Sequence, residues 1–121
     1  MEEAGSARVS RIADHWNVCE NTAREIIDEG NLRPTTESGW KRYLWQDIWR
    51  LEGEVFVACR YWRDYREPLL KPSELHELDP EKRSARTFRR YVERGVIPSI
   101  DLSPTVRRVR RCVFDIVIHH V

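Results

Sequence analysis

Apolar residues recur at helical spacing in several short stretches of this chain, and most of these stretches have a stop signal behind them. Ile12, Ala13 and Trp16 form the first, with Ser10 as a hydroxyl N-cap for a helix over residues 11–16. Asn17-Val18 then turns the chain, Val18 acting as an inward plug. Ala23, Ile26 and Ile27 form the second stretch, over residues 20–29, and Gly30 ends it. The clearest pattern lies in residues 82–98, KRSARTFRRYVERGVIP, where Ala85, Phe88 and Val92 are spaced three then four. That spacing lines one side of a helix with apolar groups. Gly95 closes this helix where a left-handed residue costs least, and Pro98 keeps it from resuming. Asp79-Pro80 reads as its start, an N-cap followed by proline at the first helical position. Before it, Leu75 and Leu78 behind Ser73 predict another short helix.

Strand patterns fall between the helical ones. Residues 32–36 and 40–44 flank Glu37-Ser38-Gly39, a tight polar turn, and together predict a hairpin. A second hairpin is expected from residues 97–100 and 106–113, turning at residues 101–104. From Gln46 to about position 66, Ile48, Leu51, Val55, Ala58, Trp62 and Tyr65 recur at heptad-like spacing and predict one long helix. Its first half would pack on its own domain and its second half on the next, with Pro68 and Pro72 marking the boundary. Trp45 and Trp49 belong to the core of this reading, and Trp40, beside the turn, is the exposed tryptophan. Residues 114–121 begin a closing helix.

The chain repeats itself. Residues 22–32 align with 87–97 at a constant offset of 65, with Thr, Arg, a β-branched residue, an acid, Gly and an aliphatic in register. Ser10 and Ser73 differ by 63, and Arg42 and Asp47-Ile48 match Arg110 and Asp115-Ile116 at 68. Helix, turn, helix, hairpin and helix, twice over, is the order of a winged helix-turn-helix. The expected fold is therefore mainly α with small β-hairpin wings: two tandem winged helix-turn-helix units joined by a long helix. Residues 1–7 would be frayed, residues 8–67 form the first unit, and residues 68–121 the second, more basic one.

Charge separates the two halves. The net charge of the 121 residues is +1, but residues 1–68 carry ten Lys/Arg against thirteen Asp/Glu, and residues 69–121 carry eleven against seven. No acid occurs between Lys82 and Arg90, whereas solvated helices usually intersperse acids for i,i+4 pairing. A core-anchored helix covered with cations suits a DNA major groove. RNA fits less well, because the aromatic stacking platform of RNA modules is missing. Three cysteines, Cys19, Cys59 and Cys112, without a C-x-x-C pair argue against a disulfide framework or a zinc site and predict buried small residues in a reducing cytoplasm. No apolar run approaches a membrane span. No catalytic constellation, Gly-rich phosphate loop or cofactor motif is present, and His119-His120 reads as a solvated pair rather than a metal site. The chain is expected to be neither an enzyme nor a metalloprotein.

Thr87-Phe88-Arg89-Arg90-Tyr91-Val92-Glu93-Arg94-Gly95-Val96-Ile97-Pro98 resembles the recognition helix and following wing of MerR-type regulators and excisionases, and residues 9–48 resemble the compact excisionase-type version. The resemblance implies that Thr22 and Thr87, with Arg24 and Arg89, hold phosphates at the starts of two recognition helices, Asn21 lying beside the first pair. It implies a backbone contact for Tyr91, and wing residues Lys41, Arg42, Arg107, Arg108 and Arg110 along the minor groove. Lys82, Arg83, Arg86 and Arg90 complete the expected DNA-facing set. Two sites on one duplex face would lie roughly 10 bp apart. The expected partner is double-stranded DNA, with integrase, RNA polymerase or a second copy of the chain as further partners, and no membrane. Two departures stand out: Glu20, Glu25, Asp28 and Glu29 crowd the first recognition helix, and no effector-sensing segment follows. Hence a second expectation, a protein-interaction module with secondary DNA affinity.

Overall fold

Four helices in this protein stop where the backbone turns left-handed, at Asn17, Asn31, Gly53 and Gly95, and those stops set the architecture. The computed structural model describes residues 4–35 and 39–121, and the chain divides into two units, Met1–Pro68 and Leu69–Val121. The first contains β1 (Ser6–Ala7), α1 (Val9–Trp16), α2 (Glu20–Glu29), β2 (Tyr43–Leu44), α3 (Trp45–Leu51), a 3₁₀ turn (Cys59–Tyr61) and α4 (Trp62–Arg66). The second contains a 3₁₀ segment (Pro72–Leu78), α5 (Ala85–Glu93), β3 (Ile100–Ser103), β4 (Val106–Arg108) and α6 (Arg111–Val117). Both are helical with small antiparallel strand pairs, β1 with β2 and β3 with β4. Among the described residues no helix is long and apolar enough to cross a membrane.

In the first unit α1 packs on α2, and Ile12, Trp16, Ala23, Ile48 and Trp49 are fully buried. The expected long helix is absent. α3 ends at Leu51 in a Schellman motif, in which Gly53 N–H donates to Arg50 O and Glu54 N–H to Trp49 O, both at 3.0 Å. Gly53 sits at φ +104°, a conformation that L side chains avoid, so the heptad seam could not continue through it. Val55, which that seam would bury, is 88% exposed. Residues 54–58 instead cross α3 as a loop, pinned by reciprocal bonds between the Gln46 amide and the Val57 backbone. Trp49 Nε1–H reaches Tyr65 O at 3.0 Å and Trp62 Nε1–H reaches Val57 O at 2.8 Å, which hold α4 in place.

Other expectations fail for identifiable reasons. α1 starts at Val9 with Arg8 as its N-cap, so Ser10 lies inside the helix. Residues 4–7 are not frayed: β1 pairs antiparallel with β2, Ala7 opposite Tyr43, and Ala4 and Ala7 are buried. That pairing takes the strand partner expected of residues 32–36. Of the first hairpin's described residues, Thr35 N–H donates to Arg42 O at 2.7 Å, while Thr36 and the turn residues Glu37 and Ser38 lie outside the described residues. Gly30 is not left-handed. Asn31 takes that role at φ +54°, and Gly30 is glycine where a Cβ would run into the Leu51 side chain.

A buried polar group closes the first unit. His15 is fully buried, and its Nδ1–H faces the carbonyl oxygens of Arg66 at 3.1 Å and Glu67 at 2.9 Å. Its Nε2 lies 2.8 Å from Glu52 Oε2, which also accepts from Trp16 Nε1–H at 2.9 Å. Trp45 packs edge-on against the imidazole, 5.0 Å between ring centres. One pair thus ties α1, the end of α3 and the end of α4 together, with its hydrogen bonds made inside the core.

The second unit builds its core from Leu75, Phe88, Ile97, Val109 and Phe114, all nearly or fully buried. Phe88 meets Phe114 edge-on at 6.1 Å. Leu70 bridges Val109 through two 2.8 Å backbone bonds, so the incoming segment pairs with the strand leading to the last helix, as Ala7 does with Tyr43 in the first unit. The hairpin turns at Pro104-Thr105, later than expected, and β4 ends at Arg108. α6 starts at Arg111 rather than at 114. Burial also corrects the repeat. At an offset of 68, fully buried Ile48 would match Ile116, which is 64% exposed; at 66 it matches Phe114, 1% exposed.

Removing one member of a buried pair leaves the other uncompensated, at a cost of about 3–5 kcal/mol. Glu52→Ala is therefore expected to lower the stability of the first unit by about that amount, whereas Glu20→Ala, which breaks only the exposed pair with Arg24, costs less than about 0.5 kcal/mol. Urea unfolding followed by tryptophan fluorescence checks both, because all five tryptophans lie in this unit. Equal losses for the two variants would contradict the closure role.

Candidate nucleic-acid interface

α5 is anchored by Phe88 and Val92, 0% and 5% exposed, and everything outward of that stripe is free to vary. Its start is five residues later than a cap at Asp79-Pro80 would place it. Asp79 is 5% exposed, and its carboxylate accepts Glu81 N–H at 3.0 Å, Arg83 N–H at 2.8 Å and the Arg83 guanidinium at 2.9 and 3.2 Å. These bonds wind residues 79–83 into a turn, with Lys82 at φ +54°, instead of a helix. Ser84 then caps α5, accepting Thr87 N–H at 3.2 Å. Ala85, expected in the buried stripe, is exposed at the first helical position.

The consequence for the site is direct. Arg83 is turned inward: besides Asp79 it donates to Val121 O at 2.7 Å and covers the Phe88 ring at 5.6 Å. Its side-chain bonds to Asp79 raise the guanidinium's pKa and hold the Asp79 carboxyl far below the usual carboxylate range, against the opposing cost of burial. Arg83 is a clamp, not a reader. Lys82 is exposed but precedes the helix. Arg86, Arg89 and Arg90 are exposed on α5 and Arg94 at its C-cap, and among the described residues none of the four is in an ion pair. Thr87 is half-buried at the cap, and Tyr91 is half-buried against Phe88.

The hairpin divides its arginines. Arg107 is exposed and pairs with Asp101 at 2.9 Å, which raises its pKa. Arg108 is half-buried and donates to Arg107 O at 2.8 Å; burial draws its pKa down, with Glu74 opposing. Arg110 is 4% exposed and occupies the N-cap position of α6, so it cannot lie along a groove. Between α5, the hairpin and the start of the 3₁₀ segment runs an open groove of about 380 Å³, lined by Lys71, Ser73, Arg89, Thr105, Arg107 and Arg108 among others. Lys71, Ser73 and Thr105 are new to the site. Their side chains carry no periodic signal, and only the fold brings them together.

The corresponding face of the first unit is a different surface. Arg24 is held by Glu20 at 3.2 Å and by Asn21 Oδ1 at 3.4 Å, while Glu25, Asp28 and Glu29 are exposed beside it. Arg42 is half-buried, bonded to Ser6 Oγ at 2.9 Å and Ser6 O at 2.8 Å, and so serves β1 rather than a wing tip. Lys41 is exposed, and so is Trp40, at 75%, with Arg8 over its ring. Thr22 keeps a cap contact that mirrors the second unit: Cys19 Sγ lies 3.1 Å from Thr22 Oγ1, as Ser84 Oγ lies 3.0 Å from Thr87 Oγ1. The Thr22 hydroxyl draws the thiol's pKa down. Cys19 and Cys59 are exposed and Cys112 half-buried, so none is the buried filler expected from sequence. No protein-family description, curated protein or solved structure matches this chain.

Asp79 gives the second unit an acid-sensitive clamp. A carboxylate depressed in the folded state contributes stability above its unfolded pKa, near 4, and loses it as pH falls toward the folded value. Asp79→Asn is expected to be less stable than the parent at pH 7, with the difference shrinking below about pH 4. Circular-dichroism unfolding at pH 7, 4 and 2 measures it, and a difference independent of pH would contradict the clamp.

Proposed function

We propose that this protein binds double-stranded DNA sequence-specifically, each unit being a small winged helix-turn-helix and the second one the principal reader. In this reading α5 enters the major groove and the β3–β4 hairpin lies over the adjacent minor groove. The observation that carries it is the face of α5 and its C-cap: four exposed arginines that form no ion pair among the described residues, on a helix held from behind by Phe88 and Val92. Arg86, Arg89 and Arg90 are the base and phosphate readers, Thr87 and Tyr91 contact the backbone, and Arg107 and Arg108 follow the wing. Arg83 and Arg110, both engaged inside the unit, drop out of the DNA-facing set, and Arg42 does so in the first. A transcriptional regulator, or a directionality factor of recombination in a phage or mobile element, is the role that this reading suggests by analogy.

A second reading is supported by the first unit. Where α5 has Arg90 and Arg94, α2 has Glu25 and Glu29, an offset of 65 in each case. An acidic face repels phosphate, so the first unit is better suited to holding a basic protein surface, as an adaptor to an integrase, a polymerase or another copy.

Titrating duplex DNA at several salt concentrations separates the two. If the four free arginines each neutralise a phosphate, log K falls against log salt with a slope of about −3.6, at about −0.9 per contact. Substituting Arg86, Arg89 and Arg90 with alanine should weaken binding by at least ~3 kcal/mol, at ~1–3 kcal/mol for each good base contact. Unchanged affinity in the triple variant would remove α5 as the reader, and binding no better than that of an unrelated basic protein would favour the adaptor.

A further inference from the structure

The groove beside α5 has a chemistry of its own. Lys71 comes from the start of the 3₁₀ segment, Arg89 from α5, and Arg107 and Arg108 from β4, while Ser73 and Thr105 add hydroxyls at its edges. Its volume of about 380 Å³ falls in the ~300–1,000 Å³ range of small-ligand sites, and four cations share its lining with Pro72 and Ala85. Acids answer only some of these cations. Asp101 pairs with Arg107, and Glu74 acts on Arg108, while Lys71 and Arg89 are exposed and outside the ion pairs of the described residues. The space exceeds the needs of one small anion, and the cations come from three separate elements.

We propose that this groove binds neighbouring phosphate groups, those of one backbone strand of the bound duplex, and grips them independently of base sequence. The proposal rests on the DNA-binding reading above and adds to it a second surface with a separate task. Arg89 belongs to both, which makes the groove continuous with the α5 face and favours a strand over a free phosphorylated compound as the phosphate source. Backbone contacts of this kind fix register and orientation, and leave sequence choice to Arg86 and Arg90. Lys71, 18 residues before Arg89 in the chain, is then a DNA-binding residue, with Ser73 and Thr105 as neutral donors to phosphate oxygens.

Lys71→Ala tests this, because the side chain is exposed and takes no part in the core. Binding is measured by fluorescence anisotropy on two unrelated duplexes over a range of salt, beside an Arg86→Ala/Arg90→Ala variant and with inorganic tripolyphosphate as a competitor. Circular dichroism confirms folding. The expected result is a roughly tenfold loss on both duplexes alike, with a salt slope shallower by about 0.9. The arginine variant should instead narrow the difference between the duplexes. If Lys71→Ala leaves affinity and slope unchanged while the arginine variant weakens binding, the groove proposal falls and the DNA reading stands. If the parent protein binds neither duplex, both fall. If tripolyphosphate binds the parent but not Lys71→Ala, and duplex binding ignores the substitution, the groove holds a free polyphosphate and the strand assignment is overturned.

Discussion

Two buried carboxylates organise this protein. A unit of 53 or 68 residues can bury little more than one layer of side chains, and apolar groups alone leave its edges open. Glu52 closes the first unit by taking Nε2 of His15 and the indole N–H of Trp16. Asp79 closes the second by taking two backbone N–H groups and the fork of Arg83. Each carboxylate reaches low exposure only because its acceptor sites are filled, since a half-satisfied one would cost more than an apolar residue there. The Asp79 knot also reaches the surface chemistry. It consumes the N–H groups that would have opened a helix at Pro80, delays α5 until Ser84, and turns Arg83 inward. Arg86 thereby becomes the first outward arginine.

Periodicity made the packed faces legible and little else. Ile12, Trp16, Ala23, Ile27, Phe88 and Val92 are buried as the spacing required, because an amphipathic stripe is a local property of the chain. Trp45 and Trp49 were legible for the same reason, as was the exposure of Trp40. The long helix failed because heptad spacing says where side chains would point if the backbone continued. Gly53 was the stop. Asn17, Asn31, Gly53 and Gly95 all take positive φ and end their helices with the same pair of backbone bonds. Asn17 was legible as a turn, whereas Asn31 was hidden behind the neighbouring Gly30.

Counting arginines proved a poorer guide than counting partners. Arg42, Arg83 and Arg110 looked equivalent to Arg86 and Arg90 in the sequence, yet each is withdrawn into its own unit. What withdraws them differs: the Ser6 backbone for Arg42, Asp79 four residues earlier together with the Val121 carbonyl for Arg83, and the turn into α6 for Arg110. Of these partners only Asp79 stands at a spacing that the sequence shows. The groove residues Lys71, Ser73 and Thr105 were hidden for the converse reason, since they meet only through the Leu70–Val109 bridge and the hairpin.

The two units carry opposite charges on helices anchored by the same spacing of apolar residues. Ala23 and Phe88, and Ile27 and Val92, anchor α2 and α5 at equivalent positions, so the outer faces are under no packing constraint and their charges can diverge at little cost in stability. One exchange matters more than the net count. Arg24 and Arg89 correspond, but α2 has Glu20 four residues earlier, and Glu20 holds Arg24 at 3.2 Å. α5 has Ala85 there. A carboxylate at that position would engage Arg89 through an i,i+4 pair and neutralise the guanidinium shared by the helix face and the groove. Ala85, exposed and contributing nothing to the core, thus does for Arg89 what the absence of acids does for Arg86 and Arg90: it leaves a cation on a rigid helix with no ion-pair partner among the described residues.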